Sequence, residues 1–258
     1  GAARAPASRS KERGARRDRL AVLLTQTARY EELGLDSAAQ QRLALLGDLI
    51  LGAGFNVTSL KEPEEVERLH LLDSLSLLAL PAVLQARRIV DIGSGAGLPA
   101  LVLAIALPAI ALPARVTALE SQQKKCRFIA DAAERLGLQR VEVVSARAEE
   151  FGQGAGRGAF DLAVSRALAP LPVVAEYSLP LLEDGGMMLA MKGAISNQEW
   201  RQAENALGIL GAGRLESVRL APFPEAENHW VYMAQKVGTT SGEYPRRPGI
   251  PAKRPLGA

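Results

Sequence analysis

Two hydrophobic periodicities alternate along the chain from residue 86 onward. Short β-branched and apolar runs, typical of buried strands, are separated by segments in which apolar residues recur at helical spacing. The predicted strands cover residues 88–92, 115–120, 141–145, 160–165, 187–191, 214–220 and 229–236. The predicted helices cover residues 98–107, 124–136, 171–182 and 197–207. This alternation predicts an α/β fold with a doubly wound, mostly parallel seven-stranded sheet. Because only a loop joins the last two predicted strands, we expect them to form an antiparallel pair that closes the sheet.

A purely helical pattern precedes this region. Between residues 20 and 51 apolar residues recur at helical spacing, and the break at 34–37 predicts a new helix capped by Asp36 or Ser37. Pro63 in the first turn of the next apolar segment predicts another helix start. We therefore divide the chain into a basic, disordered arm (1–19), a helical cap (20–85), an α/β domain (86–237) and a basic, proline-rich tail (238–258).

A five-residue duplication interrupts the α/β pattern. The sequence Ala-Ile-Ala-Leu-Pro occurs at residues 104–108 and again at 109–113. Because two prolines five residues apart cannot both lie inside one regular helix, we expect the second copy to lie in the loop before the second strand.

Both ends of the chain are basic, and the region between them is acidic. Residues 1–19 contain seven Lys and Arg, residues 236–258 contain five, and the formal charge of the whole chain is +3. Such ends attract a phosphate backbone, which favours a nucleic-acid partner. A solvated, disordered arm explains residues 1–19 equally well.

The remaining composition narrows the class of protein. With 258 residues and 48% hydrophobic content, the chain can bury one large core. No apolar stretch reaches the ~20 residues that a membrane helix needs, and no export signal opens the sequence. One cysteine and two histidines supply neither an internal disulfide nor a zinc-ligand cluster. We therefore expect a cytoplasmic protein without a metal, and we predict no oligomer.

Three glycines at alternate positions follow the first predicted strand. Gly93, Gly95 and Gly97 allow the backbone to turn with positive φ and let a ligand approach closely, and the helix that follows offers free N–H groups. Leu98 stands where a dinucleotide-binding Gly-x-Gly-x-x-Gly motif has its third glycine. The turn therefore favours an adenosine cofactor without a pyrophosphate, such as S-adenosylmethionine.

Further candidate cofactor ligands follow the next two predicted strands. Glu120 ends the second strand, where an acid in doubly wound folds accepts hydrogen bonds from ribose hydroxyls, and Ser121 is its neighbour. Ala148 and Glu149 follow the third strand, where backbone groups would meet the edge of a nucleotide base. Glu149 could equally be a surface acid.

Basic residues end two later strands, and a histidine lies in the cap. Arg166 follows the fourth strand and could pair with a cofactor carboxylate or with RNA. Lys192 ends the fifth strand at the same edge. His70 and Asp73 share a helix face, which is more typical of a helix-stabilising pair than of a catalytic one. We expect Arg166, His70 and Lys192 at most to position ligands, and we predict no catalytic acid or base.

The C-terminal tail combines prolines, an aromatic ring and cations. Its proline content argues against a helix or a strand beyond Tyr244. An aromatic ring among cations suits stacking on bases and pairing with phosphates. We expect the tail to bind RNA through Arg246, Arg247, Lys253 and Arg254.

Six segments carry a family resemblance that runs from residue 43 to residue 256. They are Phe-Asn-Val-Thr-Ser at 55–59, His-Leu-Leu-Asp-Ser-Leu at 70–75, the glycine turn at 90–99, Ser-Arg-Ala at 165–167, Met-Lys-Gly at 191–193 and Tyr-Pro-Arg-Arg-Pro-Gly at 244–249. Together they resemble the RsmG family, also called glucose-inhibited division protein B, of bacterial 16S rRNA guanine-N7 methyltransferases. Many methyltransferases share the glycine turn, whereas the histidine, Ser-Arg-Ala and tail segments are far more specific.

The resemblance implies a fold, a reaction and a set of contacts. The fold would be the Rossmann-like fold of S-adenosylmethionine-dependent methyltransferases, with an N-terminal helical extension. The reaction would methylate N7 of a guanine in a loop of 16S rRNA, within or near the small ribosomal subunit. The implied S-adenosylmethionine contacts are Gly93, Leu98, Glu120, Ser121, Ala148, Glu149 and Arg166. Because guanine N7 carries a lone pair, no general base is expected.

Two other functions stay open from the sequence. A non-catalytic RNA-binding factor of ribosome assembly could keep the same fold without the chemistry. A nicotinamide-dependent oxidoreductase could share the sheet, although Leu98 and the lack of a Tyr–Lys or histidine catalytic pairing argue against it.

Overall fold

One seven-stranded sheet organises the part of the chain that the computed structural model describes, residues 29–55 and 58–257. Its strands are β1 (Arg88–Ile92), β2 (Arg115–Glu120), β3 (Val141–Ser145), β4 (Phe160–Arg166), β5 (Leu182–Lys192), β6 (Glu216–Arg219) and β7 (Trp230–Gln235). They lie in the order β3-β2-β1-β4-β5-β7-β6. Strands β1 to β5 are parallel to one another, whereas β7 is antiparallel to both of its neighbours, β5 and β6. The predicted doubly wound sheet and its antiparallel closing pair are confirmed.

Helices cover the sheet and build the cap. They are α1 (Ser37–Leu51), α2 (Pro63–Val66), α3 (Asp73–Leu75), α4 (Pro81–Gln85), α5 (Ala100–Ile110), α6 (Gln123–Arg135), α7 (Ala148–Gln153), α8 (Leu171–Ser178), α9 (Asn197–Leu210) and α10 (Ile250–Lys253). A π-helical segment (Glu67–Leu72) joins α2 to α3, and a 3-10 segment (Ser76–Ala79) follows α3. The predicted arm, and the predicted helix as far as residue 28, lie outside the described residues.

The caps of the early helices follow the sequence signals. Asp36 caps α1, because its Oδ1 accepts a hydrogen bond of 2.7 Å from the backbone N–H of Ala39. Gly52 ends the same helix, and Pro63 occupies the first turn of α2. Of the two predicted N-caps, the structure selects Asp36.

Side chains from alternate positions of the strands pack into two hydrophobic clusters. Ile89 belongs to the cluster that also contains the cap and α5, whereas Val90 belongs to the cluster with α8 and α9. Helix α5 is apolar on nearly every face because the sheet covers one side of it and the cap covers the other. The cap thus shares its core with the sheet, and this shared core fixes the position of the residues that the cap contributes to the site.

Two predicted boundaries near the fifth strand are wrong. The helix predicted over 171–182 ends at Ser178, because Pro180 has no backbone N–H to continue the helical hydrogen bonds. The strand predicted over 187–191 begins at Leu182, which pairs with Phe160 across a register shift. The sequence does not indicate this strand start, because acidic and glycine residues, which are rare in strands, follow Leu182.

The duplicated segment is not wholly in a loop. Helix α5 runs through Pro108 and ends at Ile110, so two residues of the second copy are helical. Pro108 lies inside the helix, where its missing N–H costs the hydrogen bond to the carbonyl of Ala104, and Pro113 lies beyond the helix. Among the described residues, no helix has the length and apolar composition of a membrane span.

The proline-rich tail is also more ordered than its composition indicates. Residues 250–253 form the short helix α10. The prediction that the tail contains neither a helix nor a strand is therefore wrong. Pro251 lies in the first turn of this helix, the one place where its missing N–H is harmless.

Candidate cofactor and substrate site

The candidate residues meet at the carboxyl ends of the parallel strands. The chain runs from β1 outward through β2 to β3, and then returns to β4 and β5 on the other side of β1. This reversal opens a crevice at the end of β1, which is the usual ligand site of doubly wound sheets. The residues at or just after these strand ends are Gly93, Gly95, Glu120, Ser121, Ala148, Glu149, Arg166 and Lys192.

The three glycines of the turn have different roles. All three have positive φ, +71° at Gly93, +61° at Gly95 and +79° at Gly97. A Cβ at Gly93 would lie 2.5 Å from a methyl of Leu168, and a Cβ at Gly97 would lie 2.5 Å from a methyl of Leu101. The nearest atom to a Cβ at Gly95 would be 3.8 Å away, so this position alone is open for a ligand.

Glu120 joins the end of β2 to this turn. Its Oε2 accepts a hydrogen bond of 3.0 Å from Gly95 N–H, and its Oε1 accepts one of 2.8 Å from Gln122 N–H. The side chain is buried, whereas the neighbouring Ser121 is exposed. The carboxylate is therefore held at the edge of the turn by donors on both oxygens.

Asp91 lies beside the turn and was missed by the sequence reasoning. It is completely buried in β1, and its Oδ2 accepts hydrogen bonds from the Ser94 hydroxyl and from Ala100 N–H at 3.1 Å. Its Oδ1 has no hydrogen-bond partner among the described residues. Burial raises the pKa of this carboxyl to about 6. A free acceptor next to an open glycine turn fits a ligand that brings its own donor.

An outer cavity of about 370 Å³ extends from the turn along the ends of β2 and β3. Its walls include Glu120, Ser121, Ala148 and Glu149, and Ala252 of the tail. All four sequence-predicted residues of this region thus line one cavity of a size suited to a nucleoside.

Glu149 is a buried acid, so the alternative of a surface acid is wrong. Its Oε1 accepts a hydrogen bond of 2.9 Å from Gly249 N–H and one of 3.3 Å from the Tyr177 hydroxyl. Burial, followed by the nearby carboxylate of Glu149, raises the pKa of Tyr177 to about 12, so the hydroxyl stays a donor. Glu149 thereby fastens the tail to the wall of the outer cavity.

An inner cavity of about 390 Å³ lies on the other side of the turn, between the sheet edge and the cap. Leu98, His70, Asp73, Arg166 and Lys192 line it. The two cavities share four lining residues, Gly93, Gly95, Arg166 and Ala167. Gly97 lines neither cavity, and packing against Leu101 leaves no room for a Cβ there.

Arg166 links the sheet to the cap at the point where the cavities meet. Its Nη1 donates to the carbonyl of Leu69 at 3.1 Å and lies 3.3 Å from Asp73 Oδ2. Its Nη2 lies 3.3 Å from Nδ1 of His70. The planar guanidinium therefore fixes the π-helical segment, and with it His70, against the end of β4.

His70 and Asp73 do not form the helix-stabilising pair that their spacing favours. Nε2 of His70 lies 2.7 Å from the Thr58 hydroxyl, whereas Asp73 pairs with Arg166 and with His229. Burial, and then the charge of Arg166, lower the pKa of His70, so its ring is neutral at pH 7. A π-helical turn often marks a functional site, and here it turns both side chains towards the inner cavity.

Lys192 is held by protein groups. Its Nζ donates to the carbonyl of Ala169 at 2.8 Å and lies 3.0 Å from Glu199 Oε1. The same Glu199 oxygen accepts from Leu171 N–H at 2.8 Å. Lys192 therefore fixes the loop after β4 and α9, and its charge is neutralised at the cavity wall.

The tail is anchored to α8 by one buried ion pair. Arg246 donates to Glu176 from Nε at 2.9 Å, from Nη2 at 2.6 Å and from its backbone N–H at 2.8 Å. The Glu176 side chain is 0% exposed. The structure thus gives Arg246 a role in holding the tail, whereas Arg247, Lys253 and Arg254 are exposed.

Comparison with known proteins decides the family. The family model GidB, described as rRNA small subunit methyltransferase G, matches residues 40–222. The chain belongs to this family. A GidB relative from Rubrobacter xylanophilus, named ribosomal RNA small subunit methyltransferase G, is 44% identical over 227 residues, 85% of each chain. A relative of the same name from Moorella thermoacetica is 42% identical over 202 residues, 78% of this chain and 82% of that one.

Solved structures agree with the fold of this GidB chain. A SAM-dependent O-methyltransferase from Thermotoga maritima, 20% identical, matches with a TM-score of 0.52 over 76% of this chain and 72% of that one. A SAM-dependent methyltransferase from Aquifex aeolicus, 16% identical, matches with a TM-score of 0.51 over 70% and 97%. At such identities the likeness concerns the fold alone, and it confirms the predicted Rossmann-like fold. Membership of GidB confirms the predicted methyltransferase class and S-adenosylmethionine as cofactor, and it favours this class over both alternatives.

Three buried or cavity-lining residues of the candidate site and its surroundings were missed in the sequence, although each carried a signal. Asp91 is a charged residue between apolar residues of β1, and Glu176 is a charged residue in the mostly apolar helix α8. His229 is one of only two histidines in the chain. A buried ionisable residue needs a partner or a function, so a charged residue among apolar ones indicates a structural or functional contact.

Gly95 offers a direct test of the cofactor site. Gly95→Ala and Gly137→Ala both place a Cβ at positive φ, +61° and +68°, in space free of close protein atoms. Each substitution is therefore expected to lower the free energy of unfolding by about 1–2 kcal/mol. Only Gly95→Ala should also raise the calorimetric Kd for S-adenosylmethionine, by about 10-fold or more, since losing 1.4 kcal/mol of contact is a tenfold change. Equal Kd values for the two variants would contradict the assignment of the open turn to the cofactor.

Proposed function

We propose that this protein transfers the methyl group of S-adenosylmethionine to N7 of a guanine in 16S rRNA. The observation that carries the proposal is the pair of cavities that share Gly93, Gly95, Arg166 and Ala167, in a chain of the GidB family. One cavity suits a nucleoside and the other is wide enough for a base, so donor and acceptor would meet at the shared wall.

The residues along the sheet edge fit the cofactor. Gly95 leaves room for close approach, and Asp91 Oδ1 offers a free buried acceptor beside it. The outer cavity would hold the adenosine, with Glu120 and Ser121 at the ribose and with Ala148 and Glu149 at the base. When bound, S-adenosylmethionine supplies the methyl group as an activated sulfonium.

The reaction requires the protein to align the reacting atoms and does not require it to remove a proton from the base. Guanine N7 is a lone-pair acceptor, so it can attack the methyl carbon without first losing a proton. The ionisable side chains that line the inner cavity already have protein partners, such as Glu199 for Lys192 and Arg166 for Asp73. We infer that these residues position the base and exclude water, and that rate comes from orientation of the reacting atoms.

Exposed cations beside the outer cavity would bind the RNA backbone. Arg147 lines the mouth of this cavity, and Arg247, Lys253 and Arg254 are exposed on the docked tail next to it. Phosphate contacts of this kind position an RNA without reading its sequence. We infer that the substrate is 16S rRNA within or near the small ribosomal subunit, and hence that the protein acts in the cytoplasm.

Methyl transfer by the purified protein tests the proposal. Free 16S rRNA and small ribosomal subunits are incubated with methyl-labelled S-adenosylmethionine, and the labelled nucleoside is identified by chromatography and by strand scission specific for N7-methylguanine. We expect label in N7-methylguanine at a single position. Label on another atom, or no transfer to either substrate, would contradict it.

A further inference from the structure

The ring of His229 is fixed at the wall of the inner cavity. His229 precedes β7, whose first residue pairs with Lys192, so this antiparallel strand brings a side chain to the carboxyl edge of the parallel strands. Nδ1 of His229 lies 2.8 Å from Asp73 Oδ1. The ring of Phe223 packs edge-on against the imidazole, with centroids 5.3 Å apart at 78°. Two contacts of different kinds therefore hold the ring in one orientation.

The partner of Nδ1 decides what the other ring nitrogen can do. An ionised carboxylate only accepts hydrogen bonds, so Asp73 requires the proton on Nδ1. In the neutral ring Nε2 is then an acceptor, and it has no hydrogen-bond partner among the described residues. Asp73 is itself held by Arg166 at 3.3 Å. This chain of contacts fixes the tautomer as well as the orientation of His229.

Neighbouring polar side chains in this part of the cavity are already engaged. Asn228 Oδ1 accepts from Ala194 N–H at 2.6 Å, and Nε2 of His70 lies 2.7 Å from the Thr58 hydroxyl. Lys192 is paired with Glu199. His229 is thus the ring whose acceptor is left open towards a ligand.

We propose that His229, oriented by Asp73, accepts a hydrogen bond from N1–H on the Watson–Crick edge of the target guanine. This inference rests on the proposed function and adds a residue that selects the base. Adenine has an acceptor at N1, so the same nitrogen would face it without a donor. Enzymes that take a base out of its stack commonly read it at this edge.

The same contact favours the transition state. As the N7 lone pair forms the bond to the methyl carbon, the carbon–sulfur bond breaks and its electron pair stays on sulfur. The positive charge moves from sulfur to the base, and N1–H becomes a stronger donor while keeping its proton. A hydrogen bond that strengthens as the reaction proceeds increases the rate and not merely the affinity. His229 is therefore a substrate contact, and Asp73 is the positioning residue behind it.

The test combines protein variants with a modified substrate. Single-turnover methyl transfer is measured at saturating S-adenosylmethionine for the wild type, His229→Leu and His229→Gln. The substrate is 16S rRNA assembled with either guanosine or 1-methylguanosine, which lacks N1–H, at the target position. The Kd for S-adenosylmethionine is measured in parallel by calorimetry.

We expect His229→Leu to lower the rate on guanosine by about 10- to 100-fold, the usual range for a hydrogen bond to a charged group, with an unchanged cofactor Kd. Glutamine, whose carbonyl oxygen can replace Nε2, should restore part of the rate. The wild type should lose a similar factor on 1-methylguanosine, whereas His229→Leu should lose little more. If His229 had a purely structural role, 1-methylguanosine would lower the rate of His229→Leu by the same factor as it lowers the rate of the wild type.

Three results would overturn the inference. They are a wild-type rate in His229→Leu, a rate loss explained by a weaker cofactor Kd, and an undiminished 1-methylguanosine effect in His229→Leu. A wild type that fails to methylate the guanosine substrate would instead contradict the proposed function, and the inference with it. The rate of the wild type on guanosine therefore distinguishes a failure of the proposed function from a failure of the inference about His229.

Discussion

Replacing Arg166 by alanine is expected to lower methyl transfer by about 100-fold or more, because displacing a substrate by about 1 Å can cost that much rate. Arg166 lines both cavities and holds the carbonyl of Leu69, the ring of His70 and the carboxylate of Asp73 to the end of β4. Without the guanidinium, the π-helical segment loses its fastening to the sheet edge. Arg166→Lys keeps the charge but not the planar fork, so it should recover only a fraction of the rate.

Arg166→Ala should keep the fold and lose activity, although removing the partner of the largely buried Asp73 also lowers the free energy of unfolding. Arg115 is exposed at the amino-terminal end of β2, whereas the cavities lie at the carboxyl ends of the strands. Arg115→Ala is therefore a matched control that removes an arginine from a strand end far from the cavities. Transfer of labelled methyl groups to 16S rRNA and urea unfolding are measured for each variant. Full transfer by Arg166→Ala, or an equal loss in Arg115→Ala, would contradict the role of this residue.

Replacing Arg246 by methionine is expected to lower the free energy of unfolding by about 3–5 kcal/mol, the usual effect of breaking a buried ion pair from one side. The substitution leaves the carboxylate of Glu176, whose side chain is 0% exposed, without its cation. The tail would then lose its ion pair to α8, and the hydrogen bond from Gly249 to Glu149 would remain as its contact with the outer cavity.

The neighbouring arginine provides the control. Arg247 is exposed, so Arg247→Met should change stability by less than about 0.5 kcal/mol. It should instead reduce the slope of log K against log salt for RNA binding by about 1, as expected for one lost phosphate contact. Urea unfolding and filter binding at several salt concentrations measure both quantities. Equal stability of the two variants would show that the Arg246–Glu176 pair does not hold the tail.

The sequence predicts the sheet well because local patterns specify it. Alternating apolar runs identify β1 to β4 nearly to the residue, and the glycine turn places the crevice at the end of β1. The pattern fails where tertiary contacts override local preference. The start of β5 is acidic and glycine-rich yet pairs with β4, and α10 forms in a proline-rich segment that is packed against α8.

The candidate site could be predicted from the sequence less completely than the sheet. Strand-end residues such as Glu120 and Arg166 could be predicted, because parallel strands bring their carboxyl ends together. The contact between Asp73 and His229 joins positions 156 residues apart, and no local pattern specifies such a pair. Charge alone also does not distinguish Arg246, which pairs with the buried Glu176, from the adjacent and exposed Arg247.

The position of N7-methylguanine in 16S rRNA shows whether this protein methylates the guanine that we propose. Ribosomal RNA from cells with this protein, without it, and with only its Arg166→Ala form is digested and mapped by mass spectrometry. We expect one N7-methylguanine in 16S rRNA that is absent without the protein and restored by the wild type but not by Arg166→Ala. If every N7-methylguanine of 16S rRNA persists in cells that lack the protein, the proposed function is contradicted.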